Sequence, residues 1–294
     1  MIKELQALQQ IAACTGKGSQ EQMQAIIKKN LTPEMEFLLE VAYNPFIVTK
    51  LNKLNLNAGL IEGPGSVPSL ESFKALVDKL RKAKAANSQL REEAAWLVLS
   101  FPVEHQQMMS DIITKNLNIG IQAKSINKAA GRELIPNPSL MLAQDDVDEV
   151  DTWSEIYCEH KYDGVRIIAL YKDGNFNYFT RNFNQVPTEH MKYVNDELLK
   201  VVSANSLINF EGVFFDGELT DFDRKSVSGK LNRMLKGKVD GEISKDFVFN
   251  VFDIEHEDVL TAGKGQTKYK ARRAQLEAFI KNAQPTKHVM LSEQ

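Results

Sequence analysis

The chain has 294 residues, 43% of them hydrophobic and 26% charged, with a formal net charge of −3. That length favours two domains over a single core, and the mild acidity excludes nucleic-acid binding driven by overall charge alone. Cys14 and Cys158 make no disulfide framework, no apolar run approaches a membrane span, and the opening "MIKELQALQQIAAC" carries Glu4 instead of a cleavable apolar core; a soluble, reduced, cytoplasmic protein with no membrane partner is expected.

From Met1 to about Arg132 the pattern is helical, and an all-α domain of about seven helices is expected over residues 1–134. "SQEQMQAIIKKN" has capping-box spacing at Ser19 and Gln22, ahead of Met23, Ile26 and Ile27. In "TPEMEFLLEVAY", Thr32 is the expected N-cap, Pro33 takes the first helical position and Glu34 lies in the first turn. "SLESFKALVDKLRKAKAAN" aligns Leu70, Phe73, Leu76, Val77 and Leu80 on one stripe. Lys74, Lys79, Arg81, Lys82 and Lys84 fall mostly off that stripe, with Arg91 close behind. Such a run is either a solvated helix face or a local positive potential that attracts phosphates. "SQLREEAAWLVLSF" and "EHQQMMSDIITKNL" continue the helical pattern, with breaks at Gly16, Gly18, "EGPGSVP" and "FPVE".

At "LIPNPSLMLAQ" the pattern changes. Pro136 and Pro138 interrupt any helix, and a linker over 135–144 is expected. Over 145–294 strand-like and helical runs alternate, which predicts an α+β domain. "EIYCEHKYDG" and "VRIIALY" read as strand runs, and Asp173-Gly174 in "KDGN" marks a hairpin into "FNYFT". "LINFEGVFFDGELT" and "DFVFNVFDIEH" have the Phe and Val content of buried strands. "RKSVSGKLNRMLKG" and "TKYKARRAQLEAFIKNA" read as basic helices, the former within a second basic cluster of Arg224, Lys225, Lys230, Arg233, Lys236 and Lys238.

The stretch "EHKYDGVR", Glu159 to Arg166, raises the possibility of covalent chemistry. Asp-Gly also occurs at Asp173-Gly174, Asp216-Gly217 and Asp240-Gly241, so the dipeptide alone reads as a turn. Its lysine is the informative residue, because a lysine between a strand run and a turn is held on ordered backbone. Lysine attacks only as the free amine, which requires desolvation, neighbouring cations or a metal. Arg166 and a divalent metal supply such a field and stabilise charge on an attacked phosphate. Taken singly, Phe252 fits a core position, Glu218 a surface carboxylate and Arg181 a salt bridge; His160 reads as a strand residue and Cys158 as packing.

"KYDGVR" resembles the first nucleotidyltransferase motif of ATP-dependent DNA ligases, in which the lysine takes AMP from ATP as a phosphoramidate. "FTRNFN", "FFDGELT" and "FNVFDIE" resemble the family's next motifs in order, and "NLNIGIQAKSINKAAGRELIP" resembles the end of its helical DNA-binding domain. The resemblance implies an all-α DNA-binding domain followed by an incomplete nucleotidyltransferase (adenylation) domain. Lys161 is then the adenylated nucleophile, Glu159 reads the adenine edge and Phe252 stacks on the ring. Arg166 and Arg181 contact ribose or phosphates, and Glu218 holds the ribose or Mg²⁺ (or Mn²⁺), a hard cation suited to oxygen ligands. ATP is the implied nucleotide and nicked double-stranded DNA the partner. Duplex contacts are expected to be mostly to backbone phosphates, from Lys79, Arg81, Lys82 and Lys84 and from the turn-helix at Gly120, Lys124 and Ser125.

The family's later motifs, E-G-apolar-apolar-K and K-x-K, and its OB-fold do not occur before Gln294. "EGVFFD" lacks the lysine of the first, and "KYK" at Lys268–Lys270 precedes the place of the second. Two arrangements are therefore expected as alternatives, a second polypeptide that carries these parts as partner or a longer ligase of which this chain is the N-terminal portion, with little activity from this chain alone in either case. Two other readings are an RNA ligase or capping-type nucleotidyltransferase, against which the helical half stands, and a non-catalytic nick-binding subunit.

Overall fold

The computed structural model describes residues 1–56, 66–83, 85–138, 140, 155–222, 227–235, 241–262, 265 and 267–294. It divides into two compact units, Met1–Asn137 and Pro138–Gln294. The first is all-α and the second is built on a mixed sheet with helices. Among the described residues no helix is long and apolar enough to cross a membrane.

The first unit contains seven described α-helices: α1 (Ile2–Ala13), α2 (Ser19–Lys29), α3 (Pro33–Tyr43), α4 (Leu70–Lys82), α5 (Ser88–Leu99), α6 (Val103–Ile113) and α7 (Ala123–Ala130). Thr32 caps α3 as expected, its hydroxyl accepting from the Met35 N–H at 3.1 Å, with Pro33 opening the helix. The capping box at Ser19 does not form. Gly18, in the left-handed region at φ +84°, is the N-cap of α2, so Ser19 already lies inside the helix. On α4 the stripe is realised by Phe73, Leu76, Val77 and Leu80, all buried, while Leu70 is half-buried at the helix start. Full burial of such side chains is worth ~1.5–3 kcal/mol each. Lys115, at φ +59°, turns its ammonium back onto the end of α3 and donates to Val41 O (2.8 Å) and Asn44 O (2.7 Å). Two carbonyls left over at a helix C-terminus thus find a cationic donor.

The second unit is organised by a six-stranded sheet of order β3-β2-β1-β4-β5-β6. The strands are β1 (Val165–Lys172), β2 (Asn175–Thr180), β3 (Gln185–Val186), β4 (Val213–Asp221), β5 (Phe247–His256) and β6 (Val289–Leu291). All pairs are antiparallel except β5–β6. The β1–β2 hairpin closes at Asp173 (φ +52°) and Gly174 (φ +73°), the two left-handed positions of a tight hairpin turn. Helices α8 (Lys192–Ala204) and α11 (Tyr269–Asn282) cover one sheet face. There Val194, Leu198, Leu276 and Phe279 pack with Ile167, Phe215, Phe249 and Val251. Helices α9 (Ser228–Leu235) and α10 (Glu257–Ala262) complete the unit's described α-helices.

Residues 155–162 are not a strand, contrary to the reading of "EIYCEHKYDG". Among the described residues its one backbone bond to another segment runs from the His160 N–H to Glu293 O (2.9 Å), too little for a ladder. His160 is accordingly not a strand residue, and Cys158 is exposed rather than packed.

Candidate active site

The pleat of the sheet sends alternate residues of β1 and β4 to opposite faces. Ile167, Phe215 and Leu219 enter the core, so Arg166, Asp216 and Glu218 lie on the other face. Arg166 stands opposite Glu218, and Glu218 opposite Asn250, in one row across three strands. In the next row Asp216 pairs with Asp253, and the register then skips so that Gly217 pairs with Val251. Phe252 is the unopposed residue of this bulge. The bulge switches the alternation of β5, which returns Ile254 to the core and leaves Phe252 half-buried outside it.

The Arg166 guanidinium forks onto Asp216, Nε to Oδ1 at 2.9 Å and Nη2 to Oδ2 at 2.6 Å, and lies 5.5 Å from the centre of the Phe252 ring. Burial pushes the Asp216 carboxyl above the usual range against the pull of Arg166, and neighbouring Asp253 adds to the rise. Asp253 is held by a second fork, from Arg272 of α11 at 2.7 and 2.8 Å. Burial likewise raises Glu218, opposed by the N–H of Gly164, which donates to its carboxylate, and by Arg166. Gly164 has no alternative at this position. A Cβ there would stand 2.9 Å from Glu218 Cγ and closer still to Leu219 O. The glycine after Asp163 is required by close approach to β4.

Lys161 lies just ahead of this contact, exposed, and its ammonium has no partner among the described residues. Its neighbours are tied down. Besides the His160 bond to Glu293 O, the Tyr162 hydroxyl accepts from the Glu293 N–H (3.3 Å). Glu159 Oε1 accepts from Tyr269 (2.7 Å), Arg273 (2.8 Å) and Ser292 (2.9 Å). Arg181 is exposed in the turn after β2; Thr180 pairs with Ile167, so Arg181 shares the sheet end at which β1 begins. A cavity of about 350 Å³ opens beside Tyr162, lined by Thr220, Asn250, Lys287 and Met290 among others.

The first unit, taken by itself, presents the other predicted residues as follows. Lys79 pairs with Glu93 (2.8 Å), Arg81 lies 3.9 Å from Asp78, and Lys82 is exposed. Lys84 lies outside the described residues, as do Arg224, Lys225, Lys236 and Lys238 of the second cluster. Gly120, at φ +76°, and Ser125 are both bonded to Gln20: the Gly120 carbonyl accepts from its amide (3.0 Å), and the Ser125 hydroxyl donates to its oxygen (3.3 Å). The Ser125 N–H donates to Gln122 O (2.9 Å) inside the first turn of α7, whereas the Lys124 side chain is exposed.

Residues 140–294 match the protein family described as the ATP dependent DNA ligase domain. The chain belongs to the ATP-dependent DNA ligase family. Solved structures titled "Pmar-Lig_Pre." and "Pmar-Lig_PreS3" are each similar at 19% identity and a TM-score of 0.48, covering 99% of this chain. The chain spans 66% of the length of each. A search of curated proteins gives no match.

For a member of this ligase family, ATP use is implied, and a divalent cation needs oxygen donors. Among the described residues no group of three His, Cys, Asp or Glu side chains is placed to hold a metal. Asp216 and Asp253 each have both oxygens engaged by an arginine, which leaves Glu218 as the carboxylate of the row. One carboxylate plus substrate phosphates is an ordinary Mg²⁺ environment, so the donor set fits a cation bound mainly through its nucleotide. The sequence reading passed over Asp216, Asp253, Arg272, Arg273 and Ser292. An aspartate amid the Phe-rich run "FFDGEL" was the available signal for Asp216, because a buried carboxylate demands a cationic partner.

Proposed function

We propose that this chain carries out the nucleotidyl-transfer chemistry of a DNA ligase, with Lys161 taking AMP from ATP for nick sealing in duplex DNA. The observation that carries the reading is the contrast around Lys161. Glu159, His160 and Tyr162 are each bonded to residues 292–293, while the lysine side chain has no partner among the described residues at the sheet end that bears Arg166, Arg181 and Glu218.

In the proposed step the free amine of Lys161 attacks the α-phosphorus of ATP. A P–N bond forms, the bond from that phosphorus to the β-bridging oxygen breaks, pyrophosphate leaves with the electron pair, and the amine's proton passes to solvent. Phe252 offers an apolar ring for the base, and Arg181 an exposed guanidinium for phosphate oxygens. Arg166, already forked on Asp216, acts as a fixed positive charge behind the ring. Glu218 would hold Mg²⁺, whose contribution is neutralisation of phosphate charge. The exposed Lys82 and Lys124 are proposed contacts to the duplex backbone, which a sealing enzyme must grip without regard to sequence.

The test is incubation with α-labelled ATP and Mg²⁺, for the chain alone and with a polypeptide carrying the family's E-G-x-x-K and K-x-K motifs. A covalent AMP adduct on this chain that disappears in Lys161→Ala is expected. An adduct that persists in Lys161→Ala refutes the reading. For the DNA part, affinity for nicked duplex is expected to fall steeply between 50 and ~200 mM salt; a flat response removes Lys82 and Lys124 from it.

A further inference from the structure

Glu159 is held more tightly than a surface carboxylate needs. Three donors converge on Oε1, from Tyr269, Arg273 and Ser292, whereas Oε2 has no partner among the described residues and the side chain remains 25% exposed. Arg273 is the hub. It is 4% exposed, and besides Glu159 its guanidinium donates to Ser292 Oγ (2.6 Å), Ser292 O (2.6 Å) and Glu277 Oε1 (3.0 Å). One buried cation on α11 therefore joins the segment before Lys161 to the residues after β6.

We propose that Arg273, with Tyr269 and Ser292, acts as a positioning group that selects the purine, by fixing the Glu159 carboxylate with Oε2 turned to a 6-amino base. An ionised carboxylate only accepts hydrogen bonds. Its open oxygen takes the exocyclic amine of adenine and repels the 6-oxo group of hypoxanthine or guanine, leaving two acceptors face to face. Three donors on Oε1 remove the rotation by which the carboxylate would turn away from the wrong base. The inference rests on the reading that Lys161 and Glu159 serve the nucleotide.

The experiment is equilibrium binding of ATP and of ITP to the full chain, compared with Arg273→Gln, with the paired substitution Tyr269→Phe and Ser292→Ala, and with Glu159→Gln. The wild type is expected to favour ATP by ~10-fold or more, the span of one hydrogen bond to a charged group. In each variant the ratio of the two dissociation constants should fall towards one, chiefly through lost ATP affinity. The paired variant removes two of the three donors without emptying the buried arginine site, so it stands should Arg273→Gln melt. A purely structural role would weaken both nucleotides equally; an unchanged ratio in the paired variant, or in Glu159→Gln, overturns the proposal. A wild type that binds ATP and ITP alike also overturns it while leaving the ligase reading intact. Binding of neither nucleotide would overturn both.

Discussion

Replacing Gly164 by alanine should silence the site while leaving the fold in place. The added Cβ would lie 2.9 Å from Glu218 Cγ, 3.0 Å from the Leu219 carbonyl carbon and nearer still to its oxygen, where ordinary contact begins at 3.4 Å. Two of those three atoms are backbone of β4, which is paired on both sides by β1 and β5 and cannot retreat. The segment carrying Lys161 must yield instead, by ~0.5–1 Å, since overpacking is relieved by shifting the less constrained side. A displacement of ~1 Å of a reacting group costs on the order of 100-fold in rate. Stability should fall by only ~1–3 kcal/mol, the usual range for an extra methyl group in a packed site. Adenylation of Lys161 is to be followed by rapid quench, with thermal melting as the control for folding. Wild-type adenylation in Gly164→Ala would show that close approach to β4 does not position the lysine, and that the glycine serves only the bend.

Two further outcomes follow from buried charges. Asp216→Asn leaves the Arg166 guanidinium without its counter-charge at a site where the aspartate is 4% exposed; loss of one partner of such a pair costs ~3–5 kcal/mol, and the retained amide oxygen should bring the loss to the low end in urea melts of the second unit. A loss under about 1 kcal/mol would mean that the fork is solvated. Burial lowers the Lys115 ammonium to about 7, so between that pH and 10.5 the unfolded chain binds more protons than the folded one, and stability of the helical unit should rise with pH across the window, by at most ~1.4 kcal/mol per unit. Lys115→Met should remove that rise, measured as melting temperature from pH 6.5 to 9.5; an equal slope in the variant would refute the assignment.

What the sequence by itself determined is local. Thr32 ahead of Pro33 caps α3, Asp173-Gly174 turns the hairpin, and the stripe on α4 has helical period, because each depends on residues within a turn or two of one another. The ordered motifs around Lys161, Arg181, Glu218 and Phe252 were legible for a different reason: their residue types and order resemble the family's motifs wherever the chain places them. The tertiary structure alone decided how those residues are held. Nothing near Arg166 in sequence announces Asp216, fifty positions on, or that Glu159 meets Arg273 and Ser292 more than a hundred positions away. The strand expected at 155–160 failed for the same reason, since a strand exists only where a neighbour supplies a ladder, and here one bond to Glu293 is supplied. The four Asp-Gly pairs show the division most directly. Asp173-Gly174 is a turn, Asp216-Gly217 lies inside a central strand beside a bulge, Asp163-Gly164 is a close approach, and Asp240 lies outside the described residues. One dipeptide serves three structural roles, because backbone freedom is a property of glycine and its use is set by what packs against it.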